Sequence, residues 1–315
     1  MDRLQIVGLG TQKGGMTSGP LNVRDGQVDC ARINRSLRKE EGNMAAKEIT
    51  GKTRVWVHLS HPSTHVRATQ TFNRAFRERE IDAVAVSIDV APADMPSLVR
   101  GLKGWRNLCG IGVTMPHKGP IAEVCEELVG LAKLCKSVNT IRREPDGRLI
   151  GTNTDGSGFL AGLKQAGHDP AGKRVLLVGI GGAGKAIAFA LAQAGTGELT
   201  LSNRTAATAE QVALQVAEAF PNTKTRVGPP DPMGFDIVVN ATPLGMHDGD
   251  ALPLDVSKLA PKILVVEIIA TRERTRLVEE AERRGCRVHL GLPMLTGQIN
   301  EVITFLRLEE PPRGT

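Results

Sequence analysis

Three stretches of this 315-residue sequence carry groups able to do chemistry. In the first, Gly179-x-Gly181-x-x-Gly184 follows the apolar run Val175 to Val178 and opens onto a helix-forming stretch, with Gly182 and Ala183 completing the turn. A first glycine permits a tight turn, a second lets backbone approach a pyrophosphate, and a third lets helix and strand pack closely. Helix N–H groups then face the anion. The alternative is a glycine-rich turn without a ligand. The second stretch, Ser202-Asn203-Arg204-Thr205, ends the next strand, where an NAD site would place a carboxylate against the ribose hydroxyls. A guanidinium with an amide and a hydroxyl suits a 2′-phosphate instead, so NADP is favoured over NAD, unless Arg204 is a solvated surface arginine. The third is a pair of segments, GIGVTMPHKGP and VNTIRREPDGRLIGTNTDGSGF, holding an amine at Lys118 and a carboxylate at Asp155. Each follows an apolar strand, where ligand sites of open α/β sheets lie. Taken singly, Lys118 reads equally as a loop lysine and Asp155 as a helix N-cap.

The elements that must position these groups alternate. RVWVHLS from Arg54, AVAVSIDV and LCGIGVTMP read as strands, and the stretches beginning at His65, Ala93 and Pro120 read as helices. VNTIRREPDGRLIGTN reads as a hairpin around Asp146-Gly147. From Ala171 a second strand–turn–helix series begins: RVLLV, the glycine turn and helix, ELTLSNRT, a helix from Ala207, then DIVVNATPL and ILVVEII. This predicts an α/β protein of two domains. Residues 53–150 form an N-terminal α/β substrate-binding domain, residues 151–289 a Rossmann-type dinucleotide-binding domain, and a helix within 290–315 returns to the first. Residues 1–52 are rich in glycine and polar groups and read as a poorly ordered extension, with Met44 as an alternative start.

Bulk properties narrow the class. An apolar fraction of 41% with 23% charged residues is that of a globular protein, and no apolar run approaches the ~20 residues of a membrane span. The net charge of +6 is spread among acids and aromatics make up only 3%, which argues against nucleic acid and fits an anionic cofactor. Five scattered cysteines without a C-x-x-C pair argue against disulfides and a structural metal. The absence of a secretory pattern makes a cytoplasmic setting the expectation. A homodimer is compatible with the sequence but not read from it.

Together the segments resemble one family. Gly110-x-x-Val113-Thr114-x-Pro116-x-Lys118, Ser137-Val138-Asn139-Thr140, Gly151-x-Asn153-Thr154-Asp155-Gly156, Asn203-Arg204-Thr205, Asn240-Ala241-Thr242 and Gly291-x-x-Met294-Leu295-x-x-Gln298 are similar, in order and spacing, to signatures of the shikimate and quinate dehydrogenases. The resemblance covers roughly residues 54–310 and implies interconversion of a cyclic alcohol or hydroxy acid with its ketone. By it, Lys118 is the acid/base and Asp155 positions it, and no metal is needed. Hydride leaves an alcohol carbon only as the hydroxyl proton is removed, which is why such a group is required. Thr114, Asn139 and Gln298 would contact substrate, and Asn240, Thr242 and Met294 would line the nicotinamide pocket. A regulator that kept the fold and lost turnover is the reading from another class.

The sequence departs from that pattern at one end. The family's G-x-P-x-x-H-S-x-S-P segment is here Ser60 to Thr69, where Pro62 and His65 match but Val66 and Ala68 replace the two serines that would hold a carboxylate. Gly112 stands for an asparagine, Ala270 for a tyrosine and Glu267 for an aspartate. The expectation is an altered ring substrate, unless Arg67 supplies a guanidinium in place of the serines; otherwise Arg67 is a solvated arginine.

Overall fold

The computed structural model describes residues 48–310. The expected extension at 1–52 therefore lies, up to residue 47, outside the described residues, as does the start at Met44. Two six-stranded sheets organise what is described.

The first sheet has the order β2-β1-β3-β5-β6-β4. β1 (Arg54–Ser60) lies parallel between β2 (Ala83–Asp89) and β3 (Leu108–Val113), while β5 (Thr140–Arg143) and β6 (Leu149–Thr152) form the antiparallel hairpin about Gly147. The short β4 (Glu127–Leu128) closes the far edge. β6 continues two residues past the boundary drawn at 150. Helices α1 (Ala68–Glu78) and α2 (Met95–Leu102) connect the parallel strands. The helix expected from Pro120 is not continuous. A 3₁₀ turn at Pro120–Val124, strand β4 and the four-residue α3 (Ala132–Cys135) replace it. A helical apolar period survives there, but Gly130 takes φ +57 and ends any single helix.

The second sheet is parallel throughout, in the order β12-β11-β10-β7-β8-β9. Its central strands β7 (Arg174–Val178), β8 (Glu198–Ser202), β10 (Ile237–Asn240) and β11 (Leu264–Glu267) are nearly all buried, and β7, β10 and β11 carry the Val/Leu/Ile runs expected of strands covered on both faces. Edge strands β9 (Lys224–Val227) and β12 (Arg287–His289) are short and polar, and no apolar alternation announced them. The order reverses between β7 and β10, and ligand crevices of doubly wound sheets open at such a point.

Helix α4 (Asp155–Gln165) joins the two sheets and packs against α5 (Gly182–Gln193). A Cβ on Gly156 would lie 2.7 Å from Ala186 O, so the small residues of DGSGFLAG allow the close approach. Helices α6 (Ala206–Ala219) and α7 (Arg276–Arg283) complete the second layer. The tail expected as one helix is two, α8 (Leu292–Gly297) and α9 (Ile299–Phe305), broken at Gln298. Val302, Ile303, Leu306 and Leu308 then join Trp56, Phe72 and Phe76 in one buried cluster, which brings the chain end back to the first sheet.

Candidate active site

Lys118 follows β3 and Asp155 follows β6, two strands that run the same way with β5 between them. Lys118 sits in the loop leaving β3, pinned where its carbonyl accepts from the Val138 N–H at 2.8 Å. Asp155 opens α4, where unpaired helix N–H groups favour a carboxylate. Lys118 Nζ donates to Asp155 Oδ2 at 2.6 Å, and the two side chains are only 12% and 5% exposed. Asn139 Nδ2 donates to the other carboxylate oxygen at 2.9 Å, to Thr154 Oγ1 and to Gln298 Oε1. Thr154 donates its N–H to Asn139 Oδ1 at 2.9 Å and its hydroxyl to Gln298 Oε1 at 2.7 Å. Gln298 anchors this network through Nε2 to Met294 O. A buried amide, hydroxyl and carboxylate so mutually satisfied hold their geometry, and Lys118, held in turn by Asp155, is the amine that borders the cavity.

The glycine turn begins at the mouth of the same cavity. Gly179 takes φ +97, a conformation L side chains rarely adopt, and a Cβ there would lie 2.7 Å from Ala241 C. Gly184 packs against the carbonyl of Gly179, leaving no room for a methyl. Around Gly181, by contrast, no described protein atom lies within 4 Å of an added Cβ, so only an incoming group would require its smallness. Asn203 Oδ1 accepts from the Ile180 N–H at 3.1 Å, tying the turn to the end of β8. Arg204 lies exposed beside it. This cradle fits a dinucleotide. Ser137 Oγ donates to Gly182 O, and a Cβ on Gly182 would sit 2.9 Å from Lys118 Cβ, so the glycine turn abuts Lys118.

A cavity of about 750 Å³ joins both parts. Of the sequence candidates, Lys118, Asp155, Thr114, Asn139, Gln298, Arg67, Gly179, Gly181, Gly182, Ala183, Asn203, Arg204, Thr205, Thr242 and Met294 all border it. Asn240 and Gly184 lie just behind its lining. Asn240 is fully buried and spends its amide on both carboxylate oxygens of Glu267, while its Oδ1 accepts from the Thr242 N–H and hydroxyl. It shapes the wall through Thr242. Burial pushes the Glu267 carboxyl above the usual range, against the hydrogen bonds from Asn240, Ile269 N and Thr275. Arg67 reaches the rim, where its guanidinium donates to Thr271 O at 3.3 Å. Val66 and Ala68 are buried and apolar where the serines were expected.

Sequence reasoning missed Trp56 and His58, both on the cavity wall. Strand alternation places residues 56, 58 and 60 on one face of β1, and that signal could have found them. Burial, the Lys118 charge and His65 pull the His58 pKa from 6.5 down to about 3.

A doubly wound nucleotide crevice with a buried lysine–carboxylate pair at its mouth defines a nicotinamide-dependent oxidoreductase of the α/β class. Residues 59–141 match the shikimate dehydrogenase substrate-binding domain, and residues 162–242 match the shikimate/quinate 5-dehydrogenase family. The shikimate dehydrogenase (NADP+) of Rubrobacter xylanophilus is 37% identical over 264 residues, covering 81% of this chain and 91% of that protein. The chain belongs to the shikimate dehydrogenase family. Among solved structures, Listeria monocytogenes shikimate 5-dehydrogenase with shikimate and NAD superposes with a TM-score of 0.75 at 30% identity, over 86% of this chain and 97% of that one. A 5-ketofructose reductase from a Gluconobacter strain, in its ligand-free form, superposes with a TM-score of 0.72 at 30% identity, over 82% and 94%.

Proposed function

We propose that this chain is an NADP-dependent oxidoreductase that interconverts a ring alcohol and its ketone. The Lys118–Asp155 pair at the junction of the cavity and the glycine turn carries this reading. NADP(H), held by the turn from Gly179 to Ala183 and by Asn203, Arg204 and Thr205, supplies or accepts the hydride when bound. Lys118 takes the hydroxyl proton at the substrate oxygen as the carbon is oxidised and returns it in the reverse direction. Asp155, fixed by Asn139 and the helix start, orients Lys118 and excludes other rotamers. Thr114 and Gln298 face the ring. Residues 53–150 with 290–310 act as the substrate domain and 151–289 as the cofactor domain. A cytoplasmic setting suits the free thiols Cys109, Cys125, Cys135 and Cys286. A homodimer is the assembly to test by light scattering.

The test is reduction of NADP+ and NAD+ at alkaline pH with shikimate, quinate and related cyclic alcohols. NADP-linked turnover that falls by about 10²–10⁴ in Lys118→Ala, with unchanged NADPH affinity, is the expected result. Turnover that survives Lys118→Ala would remove the lysine from the chemistry, and NADPH binding without any turnover would make the chain a sensor.

A further inference from the structure

The end of the cavity that has lost its serines has gained a wall of a different kind. Gly112 on β3 faces β1, and a Cβ there would run into the Trp56 ring and His58 Cδ2 inside contact distance. The glycine that replaces the family's asparagine therefore makes the room these two rings fill. They meet edge to face with centroids 5.4 Å apart, and Phe72 backs Trp56 at 4.6 Å. Both rings are almost wholly buried, at 2% and 6% exposure. Yet Trp56 Nε1 and His58 Nδ1 have no hydrogen-bond partner among the described residues, nor has His65 Nε2 on the adjoining loop. Packing alone does not account for this, because unpartnered buried ring nitrogens are costly and native structures rarely keep them without a function.

The geometry points to Trp56 and His58 as the substrate-selecting wall, and to an uncharged, polyhydroxylated ring or keto sugar as the substrate they select. This rests on the oxidoreductase reading above. A neutral imidazole offers one donor and one acceptor, and indole offers a donor. Hydroxyl groups both donate and accept and so match that set, whereas a carboxylate only accepts. The lining around them includes the apolar Val66, Ala68 and Phe72, together with His65, Arg67 and Thr114. Arg67, the cation nearest in sequence, donates to the Thr271 carbonyl. A carboxylate placed here would lose hydration without dedicated partners.

The experiment compares kcat/KM for uncharged cyclic polyols and keto sugars, 5-ketofructose among them, with shikimate and quinate as carboxylated probes. Wild type should favour an uncharged compound. His58→Phe and Trp56→Phe should each lower kcat/KM for it on the order of tenfold, mainly through KM and without change in KM for the cofactor. His58→Gln, which keeps a donor and an acceptor, should recover part of the loss. Shikimate or quinate as the preferred substrate, or variants that fold and show no change, overturns the assignment. If only carboxylated probes give Lys118-dependent turnover, this inference fails while the oxidoreductase reading stands. If no probe turns over with either cofactor, both fall.

Discussion

His58 is neutral near pH 7 because burial, the Lys118 charge and His65 hold its pKa at about 3, whereas an ordinary imidazole titrates near 6.5. Between those values the unfolded chain binds a proton that the folded chain refuses, so this residue withdraws stability as pH falls below 6.5. The slope per proton is about 1.4 kcal/mol per pH unit. His58→Phe should flatten the acid limb of a urea-unfolding series by about one proton, and parallel limbs would show that the imidazole is not insulated. Arg204 carries a second residue-scale expectation. Arg204→Ser removes a charge-assisted contact worth about 1.5 to 3 kcal/mol, so NADPH affinity should fall at least about tenfold while NADH affinity barely moves. Equal losses for both cofactors in a titration would place Arg204 away from the 2′-phosphate.

Strand β3 shows how one element tunes its neighbour. Gly112→Ala drives a methyl into Trp56 and His58, and overpacking of this kind costs about 1 to 3 kcal/mol. Trp56→Leu in the same chain should recover much of the melting temperature, and strictly additive losses would mean that the two positions do not touch. The same strands show what could be read beforehand. β7, β10 and β11 carry continuous apolar runs, and the glycine turn after β7 has a backbone requirement visible as Gly179 itself. Lys118, Asp155, Asn139 and Gln298 could be marked because their motifs carry them in order. Trp56 and His58 could not be marked by motif, since their meaning depends on an empty Cβ position across the sheet at Gly112. The bonding of Asn240 was hidden for a related reason. Its partner Glu267 becomes a neighbour only through the register that sets Asn240 beside it on β11. The stretch from Pro120 to Cys135 kept a helical apolar pattern, but tertiary pairing of β4 with β6 overrode it.

At the scale of the whole molecule, the first sheet is incomplete without the chain's last elements. Trp56, Phe72 and Phe76 share their core with Val302, Ile303, Leu306 and Leu308, and Gln298 closes the hydrogen-bond network around Asn139. Removing residues from 299 onward should therefore strip amide-exchange protection from β1, β2 and β3 while β7, β8 and β10 keep theirs. Uniform loss across both sheets would show that they unfold as one unit. The return of α9 also sets an order in time, because a ribosome releases the chain from one end only. The second sheet has all its strands once His289 has emerged, yet the first still lacks part of its interior although every one of its strands was made earlier. The sheet encoded first is thus completed after the second, and until α9 clears the exit tunnel its aromatic core is the surface a chaperone would meet.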